Sequence, residues 1–212
     1  MAELPHILLG AGGHGCVVLA AARAAGLHVQ GVCDPALVRE GAAQWEGCPV
    51  LGDDDWLEGI DPSSVLLLSG IGIVPDSDLR ARLHRQWSSR GFKFALLVHP
   101  AAWVSPDAVL GDGAQIMAGA VIQPRCQIGI SSIINTHASV DHDGRIGDFV
   151  HVAPGATLCG DVAVGDGTFI GAGATVINGV SIGAGALIAA GVTQRHALEA
   201  SARAYGRREI KR

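Results

Sequence analysis

The sequence predicts a small α/β domain followed by a parallel β-helix, and three observations predict it. From Val104 to Ile188 an aliphatic residue stands at every sixth position through fifteen consecutive hexads, without an insertion or a slip. Ahead of that stretch the chain reads strand, glycine turn, helix, strand. The composition also changes near residue 100, with helix formers and three of the four Trp before it and Gly, Ala, Val and Ile after it.

His6 to Gly10 is an apolar run that leads into Ala11-Gly12-Gly13-His14-Gly15, and Cys16 to Ala25 reads as an Ala-rich helix stopped by Gly26. Strand, glycine turn, helix is the order of a phosphate-binding unit. Gly10, Gly12 and Gly15 fit G-x-G-x-x-G, whose backbone N–H groups and helix N-terminus can hold an anion. The motif alone is weakly specific, but its context is right. Leu27 to Cys33 reads as a second strand that ends at Asp34, about twenty residues past the glycines, where a carboxylate commonly meets a ribose hydroxyl. Val65 to Ser69 gives a third strand, followed by Gly70-Ile71-Gly72 and a helix from Pro75 to Ser89. Phe94 to Val98 completes a small parallel sheet. A free dinucleotide and the nucleotide part of a larger substrate compete for this domain. Only about 100 residues are available, with no second mononucleotide half, which favours the smaller ligand. Glycines that serve only a tight turn are the structural alternative.

The hexad series runs Val104, Leu110, Ile116, Ile122, Ile128, Ile134 and on in the same register to Ile188. Four residues after each member comes a small or Val-sized residue, such as Ala114, Ala120, Cys126, Ser132, Ala138 and Gly144. A period of six fits neither the 3.6 of a helix nor the 2 of a strand, so the repeat itself is the architectural unit. Each hexad supplies one short strand and one turn, three close a triangular coil, and fifteen make about five stacked coils. The aliphatic position points into the prism. Its small partner faces the corner, where the interior tapers. Gly, Asp and Asn crowd the turns, where positive φ is cheap only for such residues. The predicted boundaries are 1–100 for the α/β domain, 101–194 for the β-helix and 195–212 for a C-terminal tail.

Composition excludes several classes. The net charge of −5 offers no basic surface of the kind nucleic acid needs. No run of about 20 apolar residues spans a membrane, and the N-terminus lacks the basic start and long apolar core of a signal peptide. The expected location is therefore cytoplasmic. Five scattered Cys, none spaced C-x-x-C, suggest neither a disulfide framework nor a structural zinc site. The last ten residues, Arg203 to Arg212, hold five Arg or Lys and read as a solvated terminus, with contact to a phosphate as the alternative.

A β-helix of hexads is a scaffold, so chemistry is sought among the polar residues that interrupt it. The segment Asn135 to His151 holds three of the nine His. His142 lies in a turn between Asp141 and Asp143. A neighbouring carboxylate can fix an imidazole's tautomer and raise its basicity by accepting the proton on the other ring nitrogen. Asp143 is the first candidate for that partner and Asp141 the second. A solvated turn histidine is the plain alternative.

Asp141-His142-Asp143 within N-T-x-A-S-V-D-H-D, the run Gly147 to Ala156, and Gly171-Ala172-Gly173-Ala174-Thr175-Val176 resemble the sugar acetyltransferases of bacterial glycan and lipopolysaccharide synthesis. The resemblance extends from about residue 5 to 195 and includes Gly13-His14-Gly15. It implies a Rossmann-like domain joined to a left-handed β-helix. The group N-acetylates nucleotide-linked 4-amino-4,6-dideoxy sugars, such as UDP-linked bacillosamine precursors and GDP-perosamine, with acetyl-CoA as co-substrate and no metal. A sialic acid O-acetyltransferase branch belongs to it too. The resemblance implies a homotrimer with active sites between neighbouring β-helices. It makes His142 the general base and Asp143 its orienting partner, and it brings His151, Gly155 and Gly173 to acetyl-CoA. It also places the nucleotide near Gly12, Gly13, His14, Gly15, Asp34, Pro35, Gly70, Ile71 and Gly72. One departure is the C-terminus, where Tyr205-Gly206-Arg207-Arg208-Glu209 stands in place of the family's Gly-x-Pro-Ala.

Two other classes compete. β-helices also host zinc carbonic anhydrases, and His137 and His142 are five residues apart. Positions stacked whole coils away, at multiples of eighteen, include Gly119, Gly155, Pro124 and Gly160, none of them histidine. His151 could approach only across an interface. A non-catalytic trimerising module is the remaining reading. Within the enzyme class the choice of N- over O-acetylation rests on the resemblance and on the nucleotide-binding first domain.

Overall fold

The computed structural model describes residues 4–206, and its contacts divide the chain into two compact units, Met1–Pro100 and Ala101–Arg212. In the first unit the strands are β1 (His6–Leu9), β2 (Val29–Cys33), β3 (Gln44–Trp45), β4 (Cys48–Gly52), β5 (Leu66–Ser69) and β6 (Lys93–Phe94). The helices are α1 (Gly13–Ala24), α2 (Pro35–Arg39) and α3 (Leu79–Ser89). The sheet order is β3-β4-β2-β1-β5-β6, parallel except for the β3–β4 hairpin.

The central strand β1 is buried along its whole length, as a strand covered on both faces should be. Ile7, Leu9, Leu67, Trp87, Phe92 and Phe94 form one core cluster. Successive strands fall on opposite sides of β1, with β2 on one and β5 on the other. The glycine turn after β1 therefore sits at a topological switch point, the usual place for a ligand in such sheets.

Three predicted elements change. The last helix begins at Leu79 rather than Pro75, because Asp76 takes φ 64° in a turn that ends at the helix cap Asp78. The hairpin Gln44–Gly52 carries no strong sequence pattern and is not predicted. Phe94 to Val98 is two strands: Lys93–Phe94, which pairs with β5, and Leu97–Val98, whose last residue falls on the hexad register. The hexad register thus starts at Val98, six residues before Val104.

The second unit is the left-handed parallel β-helix. Two-residue strands repeat every six residues and pair at a separation of eighteen, as Gln115–Ile116 does with Ile133–Ile134. They form three sheets of seven, six and five strands. Every aliphatic position from Ile116 to Ile188 is buried, while Val104 and Leu110 are half-buried. Two of the small inward positions are polar and both are satisfied. Ser132 Oγ donates to the Gly147 carbonyl at 2.7 Å and accepts from the Val150 N–H at 2.9 Å, and Thr168 Oγ1 donates to the Gly183 carbonyl at 2.9 Å.

The turns keep the same register. Each fourth residue of a hexad counted from the aliphatic one, from Gly113 to Gly191, has left-handed φ. Six of these are not glycine: Arg125, Ser131, His137, Asp143, Phe149 and Asp161.

The prism also outlasts the hexads. Leu198 bridges Ile182 and Arg203–Ala204 pairs with Leu187–Ile188, both at a separation of sixteen. The segment read as a tail from residue 195 is therefore, up to Ala204, a coil shortened by two residues. It covers an edge that would otherwise leave backbone N–H and C=O groups unpaired. Arg207, Arg208 and Glu209 lie outside the described residues.

Candidate active site

His142 is the second residue of the turn 141–144, which joins Ser139–Val140 of one sheet to Arg145–Ile146 of the next. Asp141 Oδ1 accepts its backbone N–H at 2.7 Å, and its Nδ1 lies 2.7 Å from Asp143 Oδ2. An ionised carboxylate only accepts hydrogen bonds, so Nδ1 carries a proton, and in the neutral ring Nε2 keeps the lone pair. Asp143 reaches back to its neighbour's ring because its backbone is left-handed, φ 62°. Of the two carboxylates beside His142, the ring thus selects Asp143, while Asp141 fixes the main chain.

Two groups eighteen residues away complete the setting. Arg125, one coil earlier, donates from Nε to Asp143 Oδ1 at 2.7 Å and from Nη2 to Oδ2 at 2.8 Å. The Arg125 guanidinium, and after it the His142 ring, hold the Asp143 carboxyl well below the usual carboxylate range. Gly160, one coil later, lies against the imidazole. A Cβ at that position would sit 2.6 Å from His142 Cε1 and Nε2. The imidazole is otherwise open, with 55% of its side chain exposed. Arg145 donates to Asp161 Oδ1 at 2.8 Å and also lines an open groove of about 470 Å³ with Gly147, Ala163, Gly165 and Ser181.

The three residues predicted for acetyl-CoA do not join this group within one chain. Gly155 and Gly173 stack on the edge between the other pair of sheets, in left-handed turns with open space around them. His151 is 9% exposed, its Nε2 accepts from Asn135 Nδ2 at 3.0 Å, and its ring meets Phe169 edge-on at 5.0 Å.

In the α/β unit the predicted residues do converge, at the strand ends. Gly12 precedes α1 without a side-chain cap, and space is open at Gly12 and Gly13. Gly15 and Gly70 allow the close approach: a Cβ on either would strike the Gly10 carbonyl oxygen. The His14 side chain borders Gly72. Asp34 Oδ2 accepts the Ala11 N–H at 2.8 Å, and Oδ1 caps α2 through Ala36 and Leu37, with Pro35 opening that helix. Beneath the Gly70-Ile71-Gly72 turn, the buried Arg80 donates to the carbonyls of Ser69 at 3.3 Å and Ile71 at 2.6 Å. Burial pulls its guanidinium down to about 9, still protonated at neutral pH.

Sequence reasoning misses Arg125 and Arg80. The first carries a usable signal, since it stands three hexads before Asp143; the second is one arginine among several in a polar helix and carries none. Among the described residues, no group of three or more His, Cys, Asp and Glu could hold a metal ion, and no helix is long and apolar enough to cross a membrane.

Residues 7–86 match the PglD N-terminal domain family, and residues 143–178 and 164–193 match the bacterial transferase hexapeptide family. A histidine variant of GDP-perosamine N-acetyltransferase from Caulobacter crescentus, solved with CoA and GDP-perosamine, is 38% identical over 97% of this chain and 95% of its own, with a TM-score of 0.87. This chain belongs to the hexapeptide-repeat acetyltransferases with a PglD-type N-terminal domain. The acetyltransferase domain of PglB from Neisseria gonorrhoeae FA1090, solved with acetyl coenzyme A, is 32% identical over 93% of this chain and 94% of its own, with a TM-score of 0.86. WeeI from Acinetobacter baumannii AYE, at 22% identity and a TM-score of 0.83, shares the fold. As a hexapeptide acetyltransferase the chain is an enzyme.

Proposed function

We propose that this acetyltransferase moves the acetyl group of acetyl-CoA to the 4-amino group of a nucleotide-linked 4-amino-4,6-dideoxy sugar, with GDP-perosamine the first substrate to test. The observation that carries the reading is the His142–Asp143 pair: a ring whose Nδ1 is held by a carboxylate, whose Nε2 lies beside Gly160, and whose side chain is otherwise half-exposed. The Caulobacter relative, with GDP-perosamine and CoA bound, supplies the substrate class.

A sugar ammonium is not a nucleophile, so the amine reacts in its neutral form. Its nitrogen attacks the thioester carbonyl, the new C–N bond forms, and Nε2 of His142 takes the proton released from nitrogen. The tetrahedral oxyanion needs a preplaced donor, and the backbone N–H of Gly160, beside the imidazole, is the candidate, since those of Cys159 and Asp161 already donate to the Val176 and His142 carbonyls. Collapse breaks the C–S bond, and the imidazolium returns the proton to the thiolate. Asp143 keeps the ring in the tautomer that this sequence of proton transfers requires.

The glycine turn Gly12–Gly15 and the Gly70-Ile71-Gly72 turn would hold the nucleotide, with α1's uncapped N-terminus directed at its phosphates. Asp34 would act by fixing the Ala11 backbone, since both its oxygens already accept main-chain N–H groups. Gly155 and Gly173, on a different prism edge from His142, support a site assembled between chains of a homotrimer. His151 would support that edge from within the packing. The nature of the substrates supports a cytoplasmic enzyme of glycan synthesis.

A thiol-release assay with acetyl-CoA against UDP-, GDP- and dTDP-linked 4-amino sugars tests the function. Turnover on at least one member, reduced by about two or more orders of magnitude in His142→Asn, is expected. Activity on free sialic acid with none on the panel would overturn it.

A further inference from the structure

We propose that Arg125 is a positioning residue for the acetyl transfer, a clamp that fixes the Asp143 carboxylate and keeps His142 in its neutral, Nδ1-protonated form. The inference rests on His142 being the base.

The geometry is that of a fork. Nε and Nη2 of Arg125 meet the two oxygens of Asp143 at 2.7 and 2.8 Å, which fixes both the position and the plane of the carboxylate. Asp143 Oδ2 then accepts from two donors at once, Arg125 Nη2 and His142 Nδ1, so the imidazole is aligned through a group that cannot rotate. A single bond between two half-exposed neighbours would not do this, because Asp143 is free to turn into solvent.

The stacking of the prism makes the clamp possible. Arg125, Asp143 and Asp161 occupy one corner column, each with left-handed φ (60°, 62° and 57°). The other two corners take glycine at most of the equivalent places, such as Gly113, Gly119, Gly155, Gly167, Gly173, Gly185 and Gly191. Left-handed backbone costs a non-glycine residue about 1 kcal/mol or more. This corner accepts that cost for charged residues three times in succession, and two of the three are the clamp and its carboxylate.

Charge gives the second half of the argument. His142 has Asp141 on one side and Asp143 on the other; Arg145, three residues on, pairs with Asp161 of the next coil and also donates to the Asp143 carbonyl at 3.4 Å. Two carboxylates beside an imidazole favour imidazolium, which cannot accept a proton. Arg125 neutralises the one that touches the ring. Asp107, a coil below and bonded to Ser105, acts on Arg125 rather than on His142.

The test compares Arg125→Met, Arg125→Lys and His142→Asn with wild type by thiol release across pH 5.5–9.5, with thermal melting as the check on folding. In Arg125→Met, kcat at pH 7 is expected to fall about 10- to 100-fold with the KM for acetyl-CoA within about threefold. The acid limb of its kcat/KM profile should move to higher pH, so that activity partly returns towards pH 9. Arg125→Lys keeps the charge and loses the fork; its limb should stay near wild type while kcat falls. The free substrate amine titrates identically in all variants, so a limb displaced in kcat/KM belongs to the enzyme. An acid limb unmoved in Arg125→Met, or a loss of rate equal at every pH, would overturn the clamp even where His142→Asn is inactive. Near-normal turnover in His142→Asn would instead overturn the base, and with it the premise. If Arg125→Met fails to fold, Arg125→Gln removes the same charge and is read in the same way.

Discussion

At the scale of single residues, His142 is unusual in how little surrounds it. Its carboxylate partner is next to it in sequence, its clamp lies one coil earlier, and a glycine one coil later leaves room for the ring. Gly160 has ordinary backbone angles, so its absent side chain matters for space alone. Gly160→Ala should lower kcat about 10- to 100-fold with an unchanged melting temperature, because a methyl 2.6 Å from the imidazole must push it off line. Steady-state kinetics and melting curves on the same sample check this. Asp143 supplies a pH prediction. Its folded carboxyl is held below the ordinary 3.8, so its contribution to stability is present above that value and is lost as pH falls through the folded one. The melting temperature of wild type should exceed that of Asp143→Asn at pH 6, and the gap should close steadily between pH 4 and 2.5. A gap that widens on acidification would contradict the ion pair.

At the scale of elements, the prism is stable because each hexad buries the same two positions, one aliphatic and one small. Ile134 is fully buried at the middle of the stack, and Ile134→Ala should cost about 2–5 kcal/mol in chemical denaturation. Val109, with 63% of its surface exposed on an outward strand position, should tolerate Val109→Ala within about 0.5 kcal/mol. The elements also show where pattern reading succeeds. The hexad register is legible because an inward residue at every sixth place is demanded by geometry alone. The hairpin Gln44–Gly52 and the start of α3 at Leu79 are not legible, since two-residue strands and a left-handed Asp76 leave almost no trace in composition. The end of the prism is misread for a similar reason. Its last strands pair at sixteen rather than eighteen, through backbone hydrogen bonds that do not require an aliphatic residue at each step.

At the scale of the whole molecule, one chain carries His142 on one prism edge and the open glycine turns on another, and the proposed function joins the two across neighbouring copies. Subunit complementation tests this. His142→Asn and Gly173→Asp chains, each inactive alone, should regain activity when co-expressed, because mixed trimers contain some interfaces with both wild-type faces. Asp is chosen because Asp143 and Asp161 already accept left-handed φ. Mixed trimers as inactive as their parents would place the whole site within one chain. The sequence by itself determined the two-part architecture, the coil ruler of eighteen residues, the switch-point glycines and the placing of His142 between two carboxylates, because periodicity and adjacency are written along the chain. Only the tertiary structure decided between Asp141 and Asp143, found Arg125 and Arg80, turned Asp34 to the backbone and put Gly155 on another edge from His142. Those are relations across coils and strands, set by which side chains the stacking brings within about 3 Å of each other, the reach of a hydrogen bond.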